Sequence, residues 1–197
     1  MKKFFPVLQY INLPNSFTTL GLVFGIAACF FLIEGSLRGI FICLFLASLM
    51  DLIDGFFAEK FNQRTLFGQY ADALVDFFIC CIMPVLIVYT FLGSGILLIS
   101  SVTFFCICGL WRLAYFNVVA DEKRDYYTGL PVPGAMMLAM MTVWGTVHYD
   151  LPIWISIVVF YLVGLFMVSF IKLVKYAVWQ KLMWVVCLVF VLIVIVS

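Results

Sequence analysis

Seven apolar segments occupy most of this chain, at about residues 16–34, 37–59, 66–91, 95–119, 133–148, 151–174 and 179–196. A transmembrane helix needs about 20 mainly apolar residues, so these segments leave only short turns and an interfacial start at residues 1–14. The composition agrees: 66% of the 197 residues are hydrophobic and 11% are charged, whereas a soluble domain is about half apolar and about a quarter charged. The chain reads as a single all-α domain over residues 1–197, a polytopic membrane helix bundle with about seven transmembrane spans. A second, soluble domain has no room. The fifth segment is short for a full crossing.

The few charges are sorted. With the N-terminus in the cytosol and every segment crossing, Lys2, Lys3, Lys60, Arg64, Arg112, Lys123, Arg124, Lys172, Lys175 and Lys181 all fall on the cytosolic side, and Arg38 alone falls outside. That asymmetry is the positive-inside pattern of an integral cell-membrane protein with a cytosolic N-terminus. No basic run is long enough for nucleic-acid binding by counterion release. The seven cysteines lie in apolar stretches without C-x-x-C spacing, as packing residues do.

Acidic residues depart from this economy at one place. Residues 51–76 read DLIDGFFAEKFNQRTLFGQYADALVD. Asp51 and Asp54 are spaced i,i+3 near the end of the second segment, and Asp72 and Asp76 are spaced i,i+4 early in the third, so each pair shares a helix face. The turn from about Lys60 to Thr65 is short enough to make the two helices antiparallel neighbours. At 1.5 Å per residue from Leu66, Asp72 lies about 9 Å and Asp76 about 15 Å along its helix.

An acidic side chain at a helix centre costs about 2.5–3.5 kcal/mol on insertion scales, and no Lys or Arg lies within either helix at that depth. A divalent cation is the natural partner, and all-oxygen ligation favours Mg²⁺, Mn²⁺ or Ca²⁺. Two ions sharing a carboxylate suit phosphoryl chemistry. Gly55, Ala58 and Gly68 lack bulk where helices and a phosphate approach closely. A cation transporter or proton relay is the alternative for intramembrane carboxylates, but the inverted repeats and midplane sites of transporters are not visible. A di-iron site is excluded because its Glu-x-x-His pairs are missing.

The acidic segment resembles the signature of the CDP-alcohol phosphotransferases, D-x2-D-G-x2-A-R-x8-G-x3-D-x3-D. Asp51, Asp54, Gly55, Ala58, Gly68, Asp72 and Asp76 match it in spacing. The resemblance implies a six-helix family core, with the four Asp ligating metal, Mg²⁺ or Mn²⁺ as two ions, around the pyrophosphate of CDP-diacylglycerol. It also implies that Asp76 accepts the proton of an attacking hydroxyl while CMP leaves, and that the protein is a homodimer among membrane lipids with its active site at the cytosolic face. Glu59 stands where the family has Arg, which leaves Arg64, or Lys60 beside it, to support the phosphate end of the second helix.

Two further elements extend the resemblance. Pro14-Asn15-x-x-Thr18 matches the family's P-N-x-x-T, which places Asn15 and Thr18 against the nucleotide phosphates; the local alternative is helix capping by Asn15 or Ser16. Arg112-Leu113-Ala114-Tyr115-Phe116-Asn117 and Gly129-Leu130-Pro131-Val132-Pro133 resemble the R-L-A-R-F-N and G-L-P-x-P elements of the serine-transferring subfamily, with Tyr115 in place of an Arg. The implied acceptor is L-serine, with Arg112 as counter-charge to its carboxylate or to a lipid phosphate and Asn117 as a neutral hydrogen-bond donor. Snorkelling is the plainer account of Arg112. Glycerol phosphate, inositol phosphate and choline are the alternative acceptors. The lone His148 is expected at the outer surface, solvated.

Overall fold

A computed structural model describes residues 9–61, 63–119, 126–174 and 178–196. Lys2, Lys3, Lys123, Arg124 and Lys175, and with them most of the expected interfacial start, lie outside the described residues. Seven helices account for nearly all of the regular structure described: α1 (Leu13–Ile33), α2 (Leu37–Lys60), α3 (Leu66–Leu92), α4 (Ile96–Val119), α5 (Val132–His148), α6 (Ile153–Met167) and α7 (Val178–Val196). The bundle is all-helical as expected, apart from a three-residue antiparallel ladder that pairs Tyr126–Thr128 (β1) with Lys172–Val174 (β2).

The helix starts follow from local chemistry. Asn12 caps α1 by accepting from the Asn15 N–H at 2.9 Å, with Pro14 in the first turn. Ser36 caps α2 by accepting from the Gly39 N–H, and Thr65 caps α3 by accepting from the Gly68 N–H at 3.0 Å. Each cap satisfies a backbone donor that has no intrahelical partner.

The third helix changes pitch directly after Asp76. Its first part, Leu66–Asp76, is α-helical, Phe77–Ile82 is a π-helical turn, and α-geometry resumes at Met83. Pro84 accounts for the position of the wide turn. It lacks the N–H that would bond the Cys80 carbonyl, and its ring crowds that carbonyl, so the preceding turn opens.

Four helices, α1 to α4, are long and apolar enough to cross a bilayer. With 17 and 15 residues, α5 and α6 fall short of the usual span, so the expectation of about seven spans is met by length and composition for four. The short α5 lies at the centre of the bundle. Met136, Met140 and Trp144 are fully buried among Phe41 of α2, Ile87 of α3 and Phe160 of α6. Trp144 packs edge-on to Phe41 at 5.3 Å, and Phe190 of α7 closes on both rings.

The sixth segment is shorter than the sequence suggests. An apolar run to residue 174 was the basis for one long helix, but α6 ends at Met167. There the loop entering α5 meets the helix end: the Leu130 N–H donates to the Phe166 carbonyl at 3.1 Å, and the Gly129 N–H donates to the Ile171 carbonyl at 2.8 Å. Carbonyls at the helix terminus are satisfied by another segment, and the chain leaves the helix to form β2.

Candidate active site

The two acidic pairs meet where α2 and α3 run side by side. Carboxylate oxygens of Asp51, Asp72 and Asp76 all lie within 4.8 Å of one another, and the Asp51 and Asp72 carboxyls are within hydrogen-bonding reach. Asp54 and Asp76 are buried, at 6% and 9% exposure, while Asp51 and Asp72 are half-buried. Among the described residues no Lys or Arg forms an ion pair with any of the four; the ion pair found in this region is Arg64 with Glu59, at 3.9 Å. Three hard oxygen donors converging without a basic partner fit a divalent cation.

Asp54 is set apart from the other three by its own partner. The Thr18 hydroxyl, also buried, donates to Asp54 Oδ2 across the α1–α2 contact. The sequence placed Thr18 against a phosphate; the structure places its hydroxyl on a carboxylate of the acidic group. Asn15, three residues earlier, donates through Nδ2 to the Tyr10 carbonyl at 2.7 Å. The cap of α1 is Asn12, rather than Asn15 or Ser16.

The three small residues of the motif have different surroundings. A Cβ on Gly68 would stand 2.5 Å from Asn15 Oδ1, so this glycine permits the starts of α1 and α3 to meet. A Cβ on Gly55 would meet nothing within 4 Å among the described residues, so this glycine leaves a bare patch on α2, directly after Asp54. Ala58, one turn further on, is half-buried.

Around the α2–α3 turn, Lys60 and Arg64 are directed differently. Lys60 Nζ lies over the Phe56 and Phe61 rings, at 5.6 and 5.9 Å. Arg64 is drawn to Glu59, the position at which the family signature has its Arg.

On the other side of α3, Arg112 of α4 is buried at 6% exposure, with its guanidinium 5.7 Å from the Phe116 ring centroid. A snorkelling side chain would reach out, and this one does not. Asn117 donates through Nδ2 to the Leu113 carbonyl at 3.0 Å, and its own backbone carbonyl accepts from Gln69 Nε2 at 3.3 Å. Gln69 belongs to no motif read from the sequence. The available signal was periodicity, because Gln69 precedes Asp72 by three residues and shares its stripe on α3. His148 is exposed, as expected, and stacks on Trp144 with ring centroids 3.7 Å apart.

The CDP-alcohol phosphatidyltransferase family model matches residues 11–163, which take in every site residue described above. The chain belongs to that family. Among its relatives, a CDP-diacylglycerol–serine O-phosphatidyltransferase of Methanocaldococcus jannaschii is 28% identical over 172 residues, covering 87% of this chain and 78% of the relative. An archaetidylserine synthase of Methanothermobacter thermautotrophicus is 30% identical over 135 residues, 66% of this chain and 56% of the relative. A CDP-diacylglycerol–glycerol-3-phosphate 3-phosphatidyltransferase of Aquifex aeolicus is 40% identical over 67 residues, 34% of this chain and 37% of the relative.

Family membership and the four long apolar helices make this CDP-alcohol phosphatidyltransferase an integral membrane transferase of phospholipid biosynthesis. The matched region ends within α6; beyond it, α7 packs Cys187, Val191 and Val194 into the bundle.

Proposed function

We propose that this chain transfers the phosphatidyl group of CDP-diacylglycerol to the hydroxyl of L-serine, giving phosphatidylserine and CMP. The observation that carries the reading is the convergence of Asp51, Asp72 and Asp76, with Asp54 held beside them by Thr18 and, among the described residues, no ion pair to a basic side chain on any of the four. Two of the relatives are a CDP-diacylglycerol–serine O-phosphatidyltransferase and an archaetidylserine synthase, which supports serine as the acceptor.

Asp51, Asp54, Asp72 and Asp76 hold Mg²⁺ or Mn²⁺, with two ions as the expected number. When bound, the ions offset the charge of the pyrophosphate and of the departing CMP. Asp76 accepts the serine hydroxyl proton as that oxygen forms a bond to the diacylglycerol-linked phosphorus. The bond from this phosphorus to the bridging oxygen breaks, and CMP leaves with that oxygen. Proximity supplies much of the acceleration, because the lipid is held in the bilayer and the acceptor is held between α3 and α4.

The nucleotide side comprises Asn15, Gly55, Ala58, Gly68 and Arg64, with Thr18 acting through Asp54. The bare patch at Gly55 lets phosphate oxygens approach the α2 backbone. On the acceptor side, Arg112 faces the serine carboxylate, with Asn117 one and a half turns along α4. The site and the N-terminus face the cytosol, a reading supported by the sorting of basic residues. Homodimerisation is carried by family resemblance alone.

A panel of acceptors tests the reading. Purified protein with CDP-diacylglycerol and Mg²⁺ or Mn²⁺ should release CMP with L-serine and much less with glycerol 3-phosphate, inositol phosphate or choline. Chelation of divalent ions should stop the release, and Asp76→Asn should abolish it. Wild-type rates from Asp76→Asn would remove the proposed base; preference for another alcohol would remove serine and leave the chemistry.

A further inference from the structure

The start of α3 is flanked on two sides. Gly68 abuts Asn15 of α1, while Gln69, the next residue, reaches α4 and donates to the Asn117 carbonyl at 3.3 Å. That carbonyl lies in the last turn of α4, where intrahelical donors have run out. The bond therefore ties the end of α4 to the helix that carries Asp72 and Asp76, and it holds Asn117 near their stripe.

The direction of the Asn117 amide is fixed by its own contact. Nδ2 donates to the Leu113 carbonyl, which can only accept. Oδ1 must then point the other way, and there it is buried with no hydrogen-bond partner among the described residues. A buried amide oxygen left without a donor is costly, and such atoms in folded proteins ask for a ligand or a water to complete them. This oxygen can only accept, so it favours an N–H or O–H group and disfavours the oxygens of a phosphate or carboxylate.

We propose that Asn117 Oδ1 receives the ammonium group of the acceptor alcohol, and that Gln69 is the positioning residue that holds Asn117 in place. The assignment rests on the serine-transfer reading and reverses the role expected for Asn117, from donor to acceptor. It gives the site a reason to prefer an amino alcohol bearing N–H groups. Glycerol phosphate has no ammonium, and the quaternary nitrogen of choline has no N–H to donate.

The test compares L-serine with 3-hydroxypropionate, which keeps the hydroxyl and the carboxylate and lacks the ammonium. CMP release at saturating CDP-diacylglycerol gives kcat/KM for each. Wild-type protein should favour serine by at least about tenfold, the scale of a hydrogen bond to a charged group. Asn117→Ala should bring the two acceptors to within about threefold, mainly through KM for serine, with KM for CDP-diacylglycerol little changed. Asn117→Asp keeps an oxygen acceptor and should retain the preference; it also decides the matter if the Ala variant fails to fold.

Gln69→Ala should lower the preference in the same direction. Combined with Asn117→Ala it should add nothing further, as expected for residues that act as one unit. Equal loss for both acceptors in Asn117→Ala would show that the hydroxyl is the group received and would overturn the proposal while serine transfer stood. Loss of the preference in Asn117→Asp, or additive loss in the double variant, would overturn the ammonium and positioning roles respectively. Wild-type protein that uses glycerol 3-phosphate and ignores serine would overturn both the proposal and the reading beneath it.

Discussion

The Thr18 hydroxyl and Asp54 Oδ2 are joined across the α1–α2 interface, with both side chains buried. A buried carboxylate needs donors or a cation around it, and Thr18 supplies one from a neighbouring helix. The Pro14-Asn15-x-x-Thr18 element and the acidic motif are thus one unit, linked through this bond.

Thr18→Val removes the hydroxyl and keeps the shape. Losing a hydrogen bond to a charged group costs about 1.5–3 kcal/mol, so CMP release should fall on the order of 10–100-fold. The concentration of Mg²⁺ or Mn²⁺ needed for half-activation should rise, and Thr18→Ser should recover most of the activity. A titration of metal against CMP release reads both effects.

Gly68 and Gly55 separate two reasons for a small residue. Gly68→Ala places a methyl 2.5 Å from Asn15 Oδ1, so the Asn15 side chain must shift from its bond to the Tyr10 carbonyl, and both thermal stability and CMP release should fall. Asn15→Ala in the same chain should relieve the clash and restore the stability lost. Gly55→Ala meets nothing within 4 Å, so it should leave stability intact and raise KM for CDP-diacylglycerol by narrowing the phosphate's approach.

Glu59 and Arg64 make an exposed pair at 3.9 Å, and exposed pairs are worth about 0–1 kcal/mol. Glu59→Ala should therefore shift thermal stability little. Arg64→Ala should raise KM for CDP-diacylglycerol several-fold, since it removes a positive charge near the expected phosphates. Glu59→Arg restores the family's residue and should rescue Arg64→Ala. Steady-state kinetics of the three variants and the double variant check the exchange of roles.

The acidic pairs were legible in the sequence because i,i+3 and i,i+4 spacing fixes a helix face whatever surrounds it, and a short turn fixes which helices are neighbours. The partner of Thr18 was not legible, because a hydroxyl at helical spacing gives no sign of which neighbouring helix it will touch. The central place of α5 was hidden for another reason: hydropathy cannot distinguish a helix buried in lipid from one buried among Phe41, Ile87 and Phe160. The end of α6 was missed because residues 168–174 are apolar enough to continue a helix. What ends it is a hydrogen-bonded loop from an earlier part of the chain.

That loop gives the last prediction. Gly129 has φ +76°, and a Cβ there would collide with the Met167 carbonyl oxygen at the end of α6. Gly35 has a comparable φ of +72° but open space around it among the described residues. Ala at either position carries the strain of a positive φ, about 1–3 kcal/mol, and the two φ values differ by only a few degrees, so a strain-only effect should be similar at both. Gly129→Ala should be the more destabilising, by the further cost of displacing a carbonyl whose helix end is held by Leu130 and Gly129. A larger fall in thermal midpoint for Gly129→Ala than for Gly35→Ala, measured in the same detergent, would show that the close approach at the end of α6 adds to stability; equal falls would leave positive-φ strain as the whole effect.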